Sequence, residues 1–530
     1  MRVRNLFISL SLILPLHLQG QNLPENYVET VLAGYVNEFN ITDNELYKQV
    51  IPNSDALPFL KNNIPFFECS DKSLEKTYYF RWWTYRKHIK KTPEGYVITE
   101  FLPNVPWAGK YNTISCAASH HFYEGRWLKN DSILSDYAYF WFLRGGNPRL
   151  YSFAAADAIY NYYLVHGDKS LLVNLYPELR QNFTEWENEK KDSTSMYWQT
   201  DDRDGMEMSV SGRLSENAQG YRPTINSYMY GEAKALSQIA LLLGKKEESQ
   251  FYHKKAEQLK EIVNNRLWDK QDEFYKVIPR NGKMQFSYAR EILGYTPWLY
   301  NIPLETYSVA WKQLFNTQGF SAPFGPTTVE QRCPDFKISY EGHECQWNGP
   351  SWPYSTSLTL AALANFLNNY TSQDVTKDDF FNLLTIYSNS HRICADSKDT
   401  ICWIDENINP YTGDWISRSR LKVWNDGTWD SSKGGEERGK DYNHSSFCDL
   451  IISGLIGIRP QEDGSILINP LVPEDKWDYF CLDNVYCQGK LITVLYDRTG
   501  LKYRKGKGFM IYVNQNRMVH TPAIGRFVVK

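Results

Sequence analysis

Residues 224–243 read Thr-Ile-Asn-Ser-Tyr-Met-Tyr-Gly-Glu-Ala-Lys-Ala-Leu-Ser-Gln-Ile-Ala-Leu-Leu-Leu, with apolar side chains recurring at helical spacing. A second such run fills 247–267 after only Gly244-Lys245-Lys246. Two helices joined by so short a link fold back on one another as a hairpin. Helical spacing recurs between about 132 and 456, at 136–143, 149–166, 169–190, 304–315, 352–369, 378–390 and 444–456. An array of paired helices with no fixed-length repeat, and in particular no 34-residue period, closes most naturally into a toroid. The expected fold is therefore mainly α, a toroid of paired helices over 132–458.

The pattern changes on either side of this array. After Gly457 come short alternating runs at 465–470, 491–497, 502–504, 509–513 and 526–529, broken by Arg498-Thr-Gly and Lys505-Gly-Lys-Gly, which predict a small antiparallel β domain over 459–530. Ahead of Ser132, residues 78–86 predict a helix and 95–103 a strand and turn, within an N-terminal segment, 21–131, that leads into the toroid. Residues 1–20 have a basic start, an apolar run of about a dozen residues and a small residue before Gln21, the pattern of a signal peptide. The run is shorter than the roughly 20 residues of a membrane span, is interrupted by Pro15 and His17, and is followed by no lipid-acceptor Cys. A periplasmic or secreted protein without an integral span is expected.

The net charge of −3 comes from scattered rather than massed Lys and Arg, which argues against a nucleic-acid partner. Nine cysteines are too dilute for a disulfide scaffold, and their odd number leaves at least one unpaired; Cys333 with Cys345, Cys394 with Cys402, and Cys481 with Cys487 are the pairs close in sequence. No zinc-type spacing appears, and neither metal nor cofactor is expected. Aromatic residues make up 15% of the chain, with 17 Trp and 37 Tyr, which in an exported protein fits surfaces that stack on carbohydrate.

Two carboxylates stand out in this setting. Glu207 lies in Asp204-Gly-Met-Glu-Met-Ser209 and Glu406 in Asp405-Glu-Asn-Ile-Asn-Pro-Tyr-Thr-Gly413, both loop-forming runs flanked by Trp or Tyr. Glycoside cleavage needs one carboxyl to protonate the leaving oxygen and a second to activate water or attack carbon. Pro410 and Gly413 predict a tight turn that holds Glu406 in place. Asp204 is an alternative to Glu207 as the acid.

These segments resemble the (α/α)6-toroid glycosidases of glycoside hydrolase family 63 and the mannosylglycerate-hydrolase-like proteins of Bacteroidota, over roughly residues 60–460. Gly205-Met-Glu-Met-Ser209 is similar to that group's acid motif, commonly Gly-Met-Asp-Asn-Ser, except that Glu207 replaces Asp and reaches one methylene further. Trp347-Asn-Gly-Pro-Ser-Trp-Pro353 is similar to its Trp-x-Gly-Pro-x-Trp-Pro motif, 406–413 to its base motif Glu-x-Tyr-x-Pro-x-Thr-Gly, and 441–449 to the helix that follows. The resemblance implies an inverting glycosidase with Glu406 as base and Glu207 as acid, their carboxyls roughly 6.5–9.5 Å apart.

Around the two acids, Trp347, Asn348, Trp352 and Tyr354 are candidates for the walls of a sugar subsite. Trp107, Arg126 and Trp127 form a second polar and aromatic group, Arg222 and Asn226 are expected at the rim near Glu207, and His444 is a further candidate sugar contact. A polysaccharide lyase on the same scaffold would lean on Tyr442, Asn443 and His444, a glycan-binding protein would keep the rings without needing the acids, and a phosphorylase would require a larger N-terminal β domain.

Overall fold

The computed structural model describes residues 23, 26–341, 345–371, 373–394, 400–419 and 434–530. The expected signal segment, 1–20, lies outside them. Among the described residues no helix is long and apolar enough to cross a membrane.

The hairpin at 224–267 forms as its pattern demands. Helix α8 (Pro223–Leu242) begins with Pro at its first position, where a missing N–H costs nothing, and α9 (Lys246–Ile262) packs back along it. The earlier helices are α1 (Ala33–Ile41), α2 (Ala56–Asn63), α3 (Lys72–Lys87), α4 (Ala118–Gly125), α5 (Ser132–Leu143), α6 (Ala155–His166) and α7 (Lys169–Lys190); α10 (Pro353–Asn369) and α11 (Lys377–Ser390) come later. Helix α7 matches its expected limits because Asp168 caps it, accepting from the Ser170 amide at 2.9 Å.

Contacts between these helices close a double ring. An inner ring runs α4, α6, α8, the 3-10 run Ile292–Tyr300, α10 and the turn of helix around Leu450–Leu455. Each inner member is preceded by an outer one: α3, α5, α7, α9, the 3-10 run Glu305–Gln313 and α11. The toroid therefore takes in α3 and α4, ahead of the Ser132 boundary expected from the sequence. The expected helix at 304–315 is a 3-10 run, and its partner carries Pro297, which removes an amide and keeps the stretch short and tight.

Two buried carboxylates cap inner helices from a neighbouring element. Glu124 of α4 accepts from the amides of Phe447, Cys448 and Asp449 at 2.8–3.1 Å, joining the last member of the ring to the first. This fixes the start of that helical turn at 447–449, so the helix expected from His444 begins later. Glu232 of α8 likewise accepts from the Ala156 and Asp157 amides, which starts α6 at Ala155 rather than at Arg149.

The C-terminal region is a five-stranded antiparallel sheet of β1 (Phe66–Cys69), β2 (Tyr479–Cys487), β3 (Lys490–Asp497), β4 (Gly508–Val513) and β5 (Asn516–Thr521), in that order. Its first strand comes from the N-terminal segment, with Phe66 opposite Asp483 and Cys69 opposite Phe480. Residues 502–504, expected as a strand, lie in the connection from β3 to β4. Cys481 and Cys487 are buried free thiols on one strand; six residues at about 3.3 Å each keep them too far apart to bond. Cys333 is also a free thiol, which removes its pairing with Cys345, and the Cys394 side chain lies outside the described residues.

Candidate active site

Helices α8 and α10 begin beside the two acid-bearing loops: Arg222, just before Pro223, pairs with Asp204, and Ser351, just before Pro353, bonds to Ile408. Residues 201–209 fold into a knot around Asp201. Its backbone carbonyl accepts from the amides of Asp204 (3.2 Å) and Met206 (2.8 Å), while its carboxylate accepts from Ser209 N (3.2 Å) and Oγ (3.1 Å). Gly205 turns the chain at φ +76°, where a Cβ would stand 2.7 Å from Cys116 Sγ, so this position needs glycine for conformation and for space. Met208 also has positive φ, +64°. These constraints present Glu207 at the mouth of the site, only partly covered by the residues around it.

Glu207 is pushed up to about 8. Burial of its carboxyl is the largest cause, and the charges of Asp201, Asp202 and Glu406 add to it against the opposing pull of its own backbone amide. Glu207 thus holds its proton more strongly than an ordinary carboxyl and lies within electrostatic reach of Glu406.

Asp204 has a different environment. Its carboxylate and the Arg222 guanidinium are both sealed from solvent and paired at 2.9 Å, with the Thr224 hydroxyl donating to the same oxygen. The pair pins the acid loop to the start of α8. Arg222, expected at the rim, instead faces inward, and Asn226 clamps Tyr197 by accepting from its amide at 2.9 Å and donating to its carbonyl at 2.8 Å. Both are structural, because each satisfies a buried polar group that would otherwise stand alone.

The second loop is held more tightly still. Asp405 Oδ1 accepts from Glu406 N at 2.7 Å and Ser417 Oγ at 2.8 Å, and Gly439 approaches so closely that a Cβ there would collide with the same oxygen. Beyond it, Asn409 Oδ1 accepts from Tyr411 N (3.0 Å) and Gly413 N donates to the Asn409 carbonyl (3.0 Å), closing the expected turn. Ile408 exchanges backbone bonds of 3.0 and 2.9 Å with Ser351, which ties this loop to the Trp-Pro segment that starts α10. Glu406 is buried, and its Oε1 accepts from Arg438 Nε at 3.0 Å and from Nη2 as well. Its Oε2 lies 4.0 Å from Cys345 Sγ.

Arg438 was not singled out by the sequence. Its guanidinium lies over the rings of Trp107 and Phe101, 5.3 and 5.6 Å from their centroids, so Trp107 belongs to this site through the Arg438–Glu406 pair. Glu100 was also missed: it is buried, accepts from the Tyr442 hydroxyl and is pushed up to about 8, first by burial and then by the charges of Glu406 and Glu207. Asp405 is raised to about 7 by burial and by Glu406. The only sequence signals for these residues were glycines flanking Arg438 and the adjacency of Asp405 to Glu406.

The remaining expected residues divide between floor and far side. Trp347 and Trp352 stack on each other at 4.7 Å and are almost fully buried, with Tyr354, His444 and Tyr442 packed beside them. They form the floor beneath the acids and present no open face. Asn348 is buried and donates to the Asp335 carbonyl at 3.1 Å. Arg126 and Trp127 lie at the opposite end of the ring, both donating to Asp449 Oδ1 at 2.7 Å, so they do not join the acid pair.

The profile of the mannosylglycerate hydrolase MGH1-like glycoside hydrolase domain matches residues 110–445, more than half of the chain, and contains both acid loops. The chain belongs to this family. Residues 458–520 match the C-terminal domain of glycosyl hydrolase family 65, in agreement with the antiparallel sheet found there. A solved structure named sialidase is 39% identical and superposes over 94% of the chain at a TM-score of 0.86; the chain spans 44% of that protein's length. The GH78 rhamnosidase of Bacillus sp. GL1 aligns over 82% of the chain and 40% of its own at 13% identity and a TM-score of 0.50, a likeness of fold. The GH63 mannosylglycerate hydrolase of Thermus thermophilus covers 56% of the chain and 73% of its own at 14% identity and a TM-score of 0.40. The MGH1-like domain thus brings a carboxyl pushed up to about 8 within electrostatic reach of an ion-paired one.

Proposed function

We propose that this MGH1-like chain is an exported glycoside hydrolase that inverts the anomeric centre. Glu406 takes a proton from a water molecule through Oε2 as that water attacks the anomeric carbon, while Glu207 gives its proton to the departing glycosidic oxygen. The carbon–oxygen bond to the leaving sugar breaks as the bond to water forms, and the two carboxyls exchange charge states. The observation that carries this reading is the contrast between them: Glu207 is pushed up to about 8, whereas Glu406 is ion-paired with Arg438. A carboxyl that holds its proton strongly, near one paired with a guanidinium, is what acid–base cleavage needs.

The substrate is a carbohydrate, and Trp107 beside Arg438 is the ring best placed to line its path. Residues 1–20 direct the chain out of the cytoplasm, which N-terminal sequencing of the mature protein would test. The decisive experiment screens α-mannosides, α-glucosides, α-L-rhamnosides and sialosides with the wild type and with Glu207→Gln and Glu406→Gln, following the first-formed anomer by NMR. Loss of cleavage in both variants with an inverted first product is expected. Equal rates in all three proteins would overturn the assignment, and a retained configuration would overturn inversion alone.

A further inference from the structure

On the side away from the acid loops, the axis of the ring is hollow. Two adjoining cavities of about 670 and 380 Å3 share Tyr123, Asn161, Tyr300 and Asn301 and run from the outer surface near Arg526 inward to His120 and Ser152. Each volume lies in the range of small-ligand sites, roughly 300–1,000 Å3. Cys116 and Tyr354 line the inner end, and on their other side they meet Gly205 of the acid loop, so the channel is blind and the floor separates it from Glu207.

We propose that this axial channel is a second, non-catalytic binding site for a neutral saccharide. Three features select that chemistry. The half-buried rings of Tyr123 and Tyr300 line both cavities, Tyr123 with the Arg126 guanidinium 4.8 Å over its ring, and give aromatic surface to the C–H side of a pyranose. At the closed end His120 Nε2, on a side chain more than nine-tenths buried, has no protein partner, and the Ser152 hydroxyl lines the same end; both suit a sugar hydroxyl. The charges along the lining balance: Asp157, Asp449, Glu462 and Asp463 stand against Arg126, Lys234, Arg459 and Arg526. Asp449 is taken by Arg126 at 2.7 Å and Asp157 by the Tyr123 hydroxyl at 2.6 Å. A lining with no surplus of either sign gives no preference to a sialate, a uronate or a phosphate. The site also accounts for Arg126, which the acid pair does not use.

The test titrates maltotriose, cellotriose and mannotriose by calorimetry into Glu207→Gln protein, whose acid face is intact but inactive, with and without substitutions in the channel. Ala361→Trp fills the channel beside α10, and the double variant Lys234→Ala/Gln238→Ala, on the wide outer part of α8, keeps the test valid if the Trp is not tolerated. At least one trisaccharide is expected to bind, with affinity falling about tenfold or more in either channel variant. In an otherwise wild-type background, the same substitutions should leave the rate on a small aryl glycoside unchanged. No binding by any of the three, or binding indifferent to both channel variants, overturns the proposal. It does not rest on the acid pair: saccharide binding sensitive to the channel variants in a protein without hydrolase activity would uphold the channel and remove only the catalytic reading.

Discussion

Replacing Glu207 by Gln separates the two candidate acids, because Glu207 and Asp204 sit three residues apart in different surroundings. The amide keeps the shape of Glu207 and removes its proton. Loss of a general acid costs roughly 100- to 10,000-fold in rate, or about 3–5.5 kcal/mol of barrier. That loss should depend on the leaving group, since a 4-nitrophenolate needs little protonation while a sugar alkoxide needs much. The assay is kcat/KM, which reports groups of the free enzyme, for a 4-nitrophenyl glycoside and for a matched disaccharide across pH 5–9.5. In the wild type the disaccharide rate should fall as pH rises through about 8, where Glu207 loses its proton; in the variant that limb should vanish. Asp204→Asn should behave otherwise. It leaves the sealed Arg222 guanidinium without its counter-charge, a loss of about 3–5 kcal/mol of stability, while the alkaline limb and the leaving-group pattern persist in the protein that folds. If Glu207→Gln slows both substrates equally and keeps the limb, or Asp204→Asn abolishes it, the assignment of the acid is refuted.

Arg438→Gln should lower kcat by about tenfold or more and move the acidic limb of its pH profile upward, because Glu406 loses the cation that favours its charged form; an unmoved limb would show that Arg438 does not act through Glu406. Gly205→Ala should destabilise by about 1–3 kcal/mol in chemical denaturation, and adding Cys116→Ala should restore only the steric part, leaving the cost of positive φ; full restoration would mean that the backbone is unstrained. Buried carboxyls and buried imidazoles pull stability in opposite directions as pH rises, the imidazoles of His88, His120, His121, His391 and His444 being pushed down by burial. Glu100, Glu207 and Glu232 are raised to about 8 and Asp405 to about 7, so the folded chain keeps protons that the unfolded chain releases near pH 4. Their contribution is complete below that point and is lost as pH climbs through 7–8. Calorimetry of Glu232→Gln against the wild type should therefore show a Tm difference that grows in the variant's favour from pH 5.5 to 8.5, and a difference independent of pH would contradict the shift.

The hairpins were legible because helical periodicity is a local property, and Lys169–Lys190 carries its own start signal in Asp168. What the sequence concealed was set from far away. The last inner turn starts where Glu124, more than 300 residues earlier, supplies a carboxylate to three amides, and the 441–449 segment contains no sign of that partner. The site divides in the same way. Glu406 and its turn could be read because Pro410, Gly413 and Asn409 shape the backbone locally, whereas Arg438 and Glu100 join the site only through tertiary contact. Arg222, Asn226 and Trp127 stand in or beside the right motifs yet face inward, since sequence neighbourhood does not give the direction of a side chain.

Charge is unevenly distributed along the ring axis. Helices α8 and α10 start beside the acid loops, so their positive dipole ends face the acids. Acids collect at the first end: Glu100, Asp204, Asp405 and Glu406 are buried within it and Glu207 stands at its mouth. At the second end acids and bases balance, and there Arg459 donates to the Ser453 carbonyl at 3.1 Å and Arg526 to the Asn368 carbonyl at 3.0 Å. A helix terminus favours a complementary charge by only about 0.3–1 kcal/mol. The rise of Glu207 from an ordinary value near 4.5 to about 8 corresponds to a few kcal/mol in the opposite sense. Burial and the crowd of like charges therefore outweigh the helix ends at Glu207, while at Glu406 the Arg438 guanidinium adds to them. The two carboxyls thus stand in unlike surroundings, one raised by burial and like charge and the other paired with a guanidinium, which a symmetric pair of glutamates on the same scaffold would not have.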